Sequence, residues 1–248
     1  MRSEAPLVLR PTIGTGEEPG VFGDPGAARV TLAAGAGGPV GGDRLELSVV
    51  VGAGSTLVLC EASATLLLPG RDGATSSTEV RIEVGDGGTF VWLPEPVIAA
   101  RGCDHVIDVR VELGEDAQLL AREEVLLGRH GEAPGRLRTR WRVNGPGGPV
   151  LAQDLELGTT GARTAAVVGA HRAVGSVAAV TSNWITDSTR SAALLTDTAG
   201  VLPMAEGAVL VSVLADDSIA LRNAIAAGIA TLGPPWTRQR PNTDPVPR

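Results

Sequence analysis

Residues 44–59, RLELSVVVGAGSTLVL, decide the fold. Leu45, Leu47 and Val49 alternate with Arg44, Glu46 and Ser48, the period of two that marks a half-buried strand. Gly52–Ser55 (GAGS) turns the chain, and TLVLC (residues 56–60) continues as a second strand. The pair reads as a hairpin, although a loop this rich in glycine also closes a longer arch.

Working outward, the unit recurs. Thr78–Val84 (TEVRIEV) alternates, Gly85–Gly88 (GDGG) turns and Thr89–Leu93 (TFVWL) is apolar. His105–Leu113 alternates, residues 114–116 turn and Ala117–Leu127 runs on. Arg136–Val143 (RLRTRWRV) places four arginines on one side, and Pro149–Leu157 returns after NGPGG. Strands at near-regular spacing without helices between them predict a mainly β scaffold of many short strands: a sandwich, a barrel or a β-solenoid. No strict sequence repeat accompanies them. Ala165–Val180, interrupted by Gly169 and Gly175, reads as two strands. One or two helices are expected near the C-terminus. The clear one spans about 217–232, with Asp216 or Asp217 as N-cap, an Ile/Leu face, and Gly233 and Pro234 as stop signals. The expected organisation is one β-rich domain, 1–233, and a disordered Pro/Arg-rich tail, 234–248.

Composition excludes several classes. The chain has 248 residues, 33 Gly, 17 Pro and 43% hydrophobic residues, too apolar for disorder and long enough for a large core. All 21 basic residues are Arg, and the net charge of -7 disfavours nucleic acid. No apolar run reaches the ~18 residues of a membrane span. The N-terminus lacks the apolar core of a signal peptide, and two cysteines make no disulfide framework, so a reducing cytoplasmic setting is expected.

Catalytic signatures are weak. G-x-S-x-G is absent. Gly35–Gly42 lacks the lysine and helix of a phosphate loop. Cys103 and His105 share a strand face but amount to half a tetrahedral metal site, so a packing thiol beside a polar histidine is the simpler reading. His130 and His171 read as surface or satisfied histidines. The carboxylates Asp43, Glu61, Glu95, Glu123, Glu124, Glu132, Asp154 and Glu156 are scattered through strands and turns. Such groups bind hard cations or do acid–base work, and most face solvent. Two alternatives to a scaffold stand beside it: a β-rich hydrolase or lyase with a carboxylate site, and a ligand-binding β module. The second is disfavoured because only Trp141, Trp184 and Trp236 could offer exposed rings.

Several segments resemble one family, the urease accessory protein UreD (UreH). They are Gly41–Leu59 (GGDRLELSVVVGAGSTLVL), Ala64–Thr65, Trp92–Ile98 (WLPEPVI), Glu123–Glu132 (EEVLLGRHGE) with Gly135–Val143, Gly148–Leu157 (with Asp154) and, more weakly, Leu214–Arg222. WLPEPVI is the most specific. The matches run in order over about residues 39–230, and the segments before Gly41 and after Thr65 mark a short, divergent member. The resemblance implies a β-rich helicoid scaffold that is not an enzyme. It implies binding to UreF, which recruits the GTPase UreG in a dimer of heterodimers, and docking on apo-urease. It also implies assistance to nickel insertion along an internal route, with no tightly bound cofactor and nickel only in transit. The expected members of that route are Asp43, Glu61, Glu95, Glu124 and Asp154. The expected partner face is that of the terminal helix, with Ile219, Arg222, Ile225 and Ile229.

Overall fold

The computed structural model describes all residues except 1, 15, 17, 23, 25, 182–190, 205–206 and 238–248. In chain order its strands are β1 (Leu7–Pro11), β2 (Ala28–Ala34), β3 (Arg44–Val51), β4 (Thr56–Glu61), β5 (Thr65–Leu67), β6 (Ser76–Val84), β7 (Thr89–Leu93) and β8 (Val97–Ala99). There follow β9 (Asp104–Leu113), β10 (Gln118–Leu126), β11 (Arg136–Gly145), β12 (Gly148–Leu157), β13 (Ala173–Val180), β14 (Ala193–Thr196), β15 (Ala199–Pro203) and β16 (Ala208–Ala215). A short 3₁₀ turn spans Gly161–Arg163, and α1 spans Ser218–Thr231.

Two sheets face each other. The larger follows the order β1-β2-β4-β7-β10-β13-β16-β15-β14, with β5 and β8 beside β10; the smaller is β12-β11-β9-β6-β3. β3 and β4 therefore do not form a hairpin: they lie in different sheets, and GAGS is the arch between them. β6 to β7 and β9 to β10 make the same crossing, so the chain winds as a solenoid. Within the small sheet β3, β6, β9 and β11 are parallel and in register, stacking Leu47, Val80, Val109 and Trp141. Only β11 and β12 close as a hairpin from the strand pairs read above.

The arches explain the glycine turns. The Gly54 N–H donates to Asp86 O at 2.9 Å and the Gly87 N–H to Glu115 O at 2.7 Å, so each arch hydrogen-bonds the next. The matching residue of each arch has a left-handed backbone: Gly54 (φ 61), Gly87 (φ 61) and Asp116 (φ 53). Glycine adopts that conformation without cost, and aspartate is among the side chains that tolerate it.

The inward faces of the two sheets fill one core, including Leu47, Val80, Ile82, Val109, Val111, Phe90, Trp92, Leu119 and Trp141. A second core lies on the outer face of the large sheet, where Val58, Val91, Leu120, Val177, Val211 and Val213 pack against Leu221, Ile225 and Leu232. α1 starts where the sequence places it. Asp217 is the N-cap, its Oδ1 accepting from the N–H groups of Ile219 (2.9 Å) and Ala220 (2.8 Å). The rest of residues 165–180 departs from expectation. Only β13 is a strand, and Gly175 within it is the seat of the helix: a Cβ there would lie 2.7 Å from Ile225 Cδ1 and 2.8 Å from Leu221 Cδ1.

The aromatic residues are also corrected. Trp141 and Trp236 are buried, at 4% and 1% exposure, so neither offers a ring to a ligand; Trp184 lies outside the described residues. Trp236 packs over Gly20 and belongs to the core under α1, so packing continues past Pro234. Residues 238–248 of the expected tail lie outside the described residues.

Candidate functional site

A cavity of about 140 Å³ lies between the sheets and reaches into the large one, where Glu124 of its outer face is among the lining residues. Its walls are mostly apolar, from Leu45, Leu47, Val80, Val109, Trp92 and Trp141 among others, and its charged and titratable groups are Glu61, Glu95, Arg122, Glu123, Glu124 and His105.

The large sheet has a defect in strand pairing there. Trp92 pairs with Ala121, and the next pair between the same chain segments is Val97 with Val125. Five steps along one segment thus face four along β10, so Pro94, Glu95 and Pro96 leave the ladder opposite Arg122–Glu124. Cys60 pairs with Leu93 and Thr65 with Val97, again five steps against four. Two such extra residues in succession spread the strands, as bulges do, and make a window. The prolines of WLPEP suit it, since proline has no N–H for the ladder.

Strand alternation sends Glu123 and Glu124 to opposite faces of β10. Glu123 faces the small sheet. Its Oε1 accepts from Trp141 Nε1 at 2.9 Å and its Oε2 from Thr139 Oγ1 at 3.5 Å. Burial pushes its carboxyl up to about 6 against those two hydrogen bonds. Glu124 faces α1 with a fully buried side chain, held between Arg122 Nε (3.0 Å) and Arg222 Nε (3.3 Å). Arg222 also pairs with Glu95, and Arg122 Nη2 donates to Pro94 O at 2.6 Å. Glu61, at the end of β4, is pushed up to about 7, first by burial and further by the neighbouring Glu95 charge, against the Glu95 N–H and Arg122.

The structure thus brings together Glu61, Glu95 and Glu124 of the five expected carboxylates. Asp43 closes its own turn, Oδ2 accepting from the Val40 N–H at 2.8 Å, and does not line the cavity. Asp154 sits on the outer face of the small sheet, where Arg138 binds both its oxygens (2.8 and 2.6 Å) and holds it below the usual carboxylate range. On the helix, Ile225 is 2% exposed and fills the core against β13, Ile229 is half-buried, and Ile219 is 72% exposed. The four expected partner residues therefore do not form one exposed face.

Two cavity groups escaped the sequence reading as site members. Glu123 was visible only as one carboxylate among many, although an acid inside an apolar strand is itself a signal. His105 is the other. Its Nδ1 contacts Ser76 Oγ at 2.7 Å and its Nε2 contacts Thr78 Oγ1 at 3.1 Å, and burial pushes it down to about 4. Both ring nitrogens are engaged, and Ser76 is 1% exposed, so this serine–histidine contact is structural rather than a nucleophile with its base. Cys103 packs in the core at that end of the sheets, as its reading as a packing thiol has it. Among the described residues no three His, Cys, Asp or Glu side chains form a metal cage, and no helix is long and apolar enough to cross a membrane.

The molecule is thus a wound β scaffold with an acidic window into an apolar cavity. The comparisons with known proteins sharpen this. The family model of the UreD urease accessory protein matches residues 1–247. The urease accessory protein UreD of Streptomyces avermitilis is 36% identical over 236 residues, covering 94% of this chain and 90% of that protein. That of Streptomyces coelicolor is 37% identical over 235 residues, covering 94% and 89%, and that of Frankia alni 39% over 254, covering 92% and 85%. The chain belongs to the UreD urease accessory protein family, whose members are named as accessory proteins and not as enzymes.

Proposed function

We propose that this protein is a metallochaperone scaffold that binds apo-urease together with UreF and UreG and assists nickel insertion into the urease active site. The observation that carries the proposal is the convergence of Glu61, Glu95 and Glu124, from separate segments, on one window of the cavity. Nickel is cargo here. A carried ion must leave as readily as it enters, which favours a few exchangeable carboxylates over a closed cage. Both Glu61 and Glu124 are withdrawn from bulk water, where charges act more strongly on a cation. Glu123 extends the acidic lining inward. Family membership supports the urease partnership.

The test is co-expression of the chain with UreF, UreG and the urease subunits, followed by nickel analysis of purified urease. Glu61→Gln, Glu95→Gln and Glu124→Gln are each expected to lower nickel occupancy, by about tenfold if one charge near the ion is worth ~1.4 kcal/mol. Affinity capture of the partners should persist. Asp154→Asn, outside the cavity, should leave occupancy unchanged. Full occupancy with all three cavity variants would overturn the nickel route, and urease activation without this chain would overturn the accessory role.

A further inference from the structure

The window has a cation fitted into its outer side. Arg222 projects from the second turn of α1, and its guanidinium reaches both Glu95, on the strand side of the opening, and Glu124, on β10. Glu95, Arg122 and Glu124 line the cavity; Arg222 does not, and joins Glu95 to Glu124 from the α1 side of the window. Arg122 is tied to the rim by Pro94 O and is 17% exposed, whereas Arg222 is 44% exposed and, among the described residues, its rim partners are these two carboxylates.

We propose that Arg222 is the bolt of the cavity: paired with Glu95 and Glu124 it closes the window, and a divalent cation competing for those carboxylates, or a protein surface that draws the helix arginine outward, opens it. This regulation rests on the nickel-route reading for its cargo, though not for its geometry. The exchange keeps both carboxylates compensated and raises the net charge of the site by one. A monovalent guanidinium leaves two carboxylates as a divalent ion enters, so the buried Glu124 is not left as an uncompensated charge. Arg222 swings into water at little cost because it is already partly exposed and always charged. Arg122 remains beside Glu124, weakening the hold on the ion and so favouring onward transfer.

The experiment separates bolt from cargo by using two probes on the purified full chain. Acrylamide, a neutral quencher, reports access to Trp92 and Trp141 in the cavity wall, with Trp184→Phe as background. Arg222→Ala is expected to raise the quenching slope about threefold, and Arg222→Lys, which keeps the charge but grips one carboxylate at a time, to give an intermediate value. If the alanine variant loses helix docking by thermal denaturation, the lysine variant decides. An unchanged slope in a variant with wild-type folding would overturn the bolt. Equilibrium dialysis with Ni²⁺ alone is the second arm: Arg222→Ala should bind about tenfold more tightly, and Glu124→Gln should abolish the gain. Raised acrylamide access without any carboxylate-dependent Ni²⁺ binding would keep the bolt and remove nickel as its cargo. Carboxylate-dependent Ni²⁺ binding with unchanged access would do the reverse.

Discussion

Gly175→Val is expected to lower the stability of the chain by about 3 kcal/mol, while Gly175→Ala costs about 1 kcal/mol. Valine is a better strand residue than glycine, so local propensity argues the other way. Packing decides. Gly175 lies mid-strand in β13, opposite Glu124 in the ladder, on the face covered by α1. A Cβ at 175 would stand 2.7 Å from Ile225 Cδ1 and 2.8 Å from Leu221 Cδ1. These side-chain ends would ordinarily swing aside, but Leu221 is 0% and Ile225 2% exposed, so neither can swing into solvent and each must move against core neighbours. The helix must lift instead, exposing apolar surface and loosening Arg222 from Glu124. Thermal denaturation should show the midpoint falling by about 8 °C for valine, given 2–4 °C per kcal/mol in a domain of this size. The double variant Gly175→Val with Ile225→Ala should recover part of the loss, since the two sites share one contact. A valine variant as stable as the wild type would mean that the helix is not seated on this glycine.

The same residue shows where a sequence stops being legible. Gly175 reads as an interruption in an Ala/Val run, which is why residues 165–180 divide into two strands on paper; its purpose is visible only with α1 in place. The strands themselves were readable because alternation is a local property of one segment. Their pairing was not. GAGS can end a hairpin or an arch, and the choice depends on partners about thirty residues away. The solenoid coils escaped detection as a repeat because their lengths differ: Leu47 stacks on Val80, 33 residues on, but Val80 stacks on Val109, 29 residues on. The helix was readable almost to the residue, since Asp217 and Gly233 mark its ends chemically. Its faces were not: Ile219 shares apolar character with Ile225, yet one faces water and the other the sheet. Among the carboxylates, residue type could not separate Asp154, paired with Arg138 on an outer face, from Glu124, buried under Arg222. The window that unites Glu61, Glu95 and Glu124 comes from two extra residues in strand pairing, a register effect with no local sequence mark beyond the prolines of WLPEP.

Glu123→Gln is expected to stabilise the chain at neutral and alkaline pH and to leave it nearly unchanged in acid. Burial raises the Glu123 carboxyl from its ordinary 4.5 to about 6, so the folded state holds this proton more tightly than the unfolded chain. The associated stability is fully present below pH 4.5 and is lost as pH rises through about 6. A shift of this size corresponds to ~2 kcal/mol, the cost of ionising a carboxyl in the interior. Glutamine has no proton to lose and keeps the site's geometry: its carbonyl oxygen accepts from Trp141 Nε1, and its amide donates to Thr139 Oγ1. Two other buried groups titrate nearby and fix the background. Glu61, raised to about 7, acts in the same direction as Glu123. His105, lowered to about 4, acts in the opposite one, its contribution being present above 6.5 and lost as pH falls through 4. Neither changes in the variant, so the difference between variant and wild type isolates Glu123. Urea denaturation from pH 4.5 to 8 should show that difference growing to ~2 kcal/mol by about pH 7 and then staying flat. A constant difference across the range would mean that Glu123 holds its charge at no cost, with its two donors fully compensating the burial. Read together with nickel occupancy, the same substitution also shows whether the inner carboxylate serves the route or only the core. Gained stability with lost nickel transfer would assign it to the route, as buried charge kept against stability.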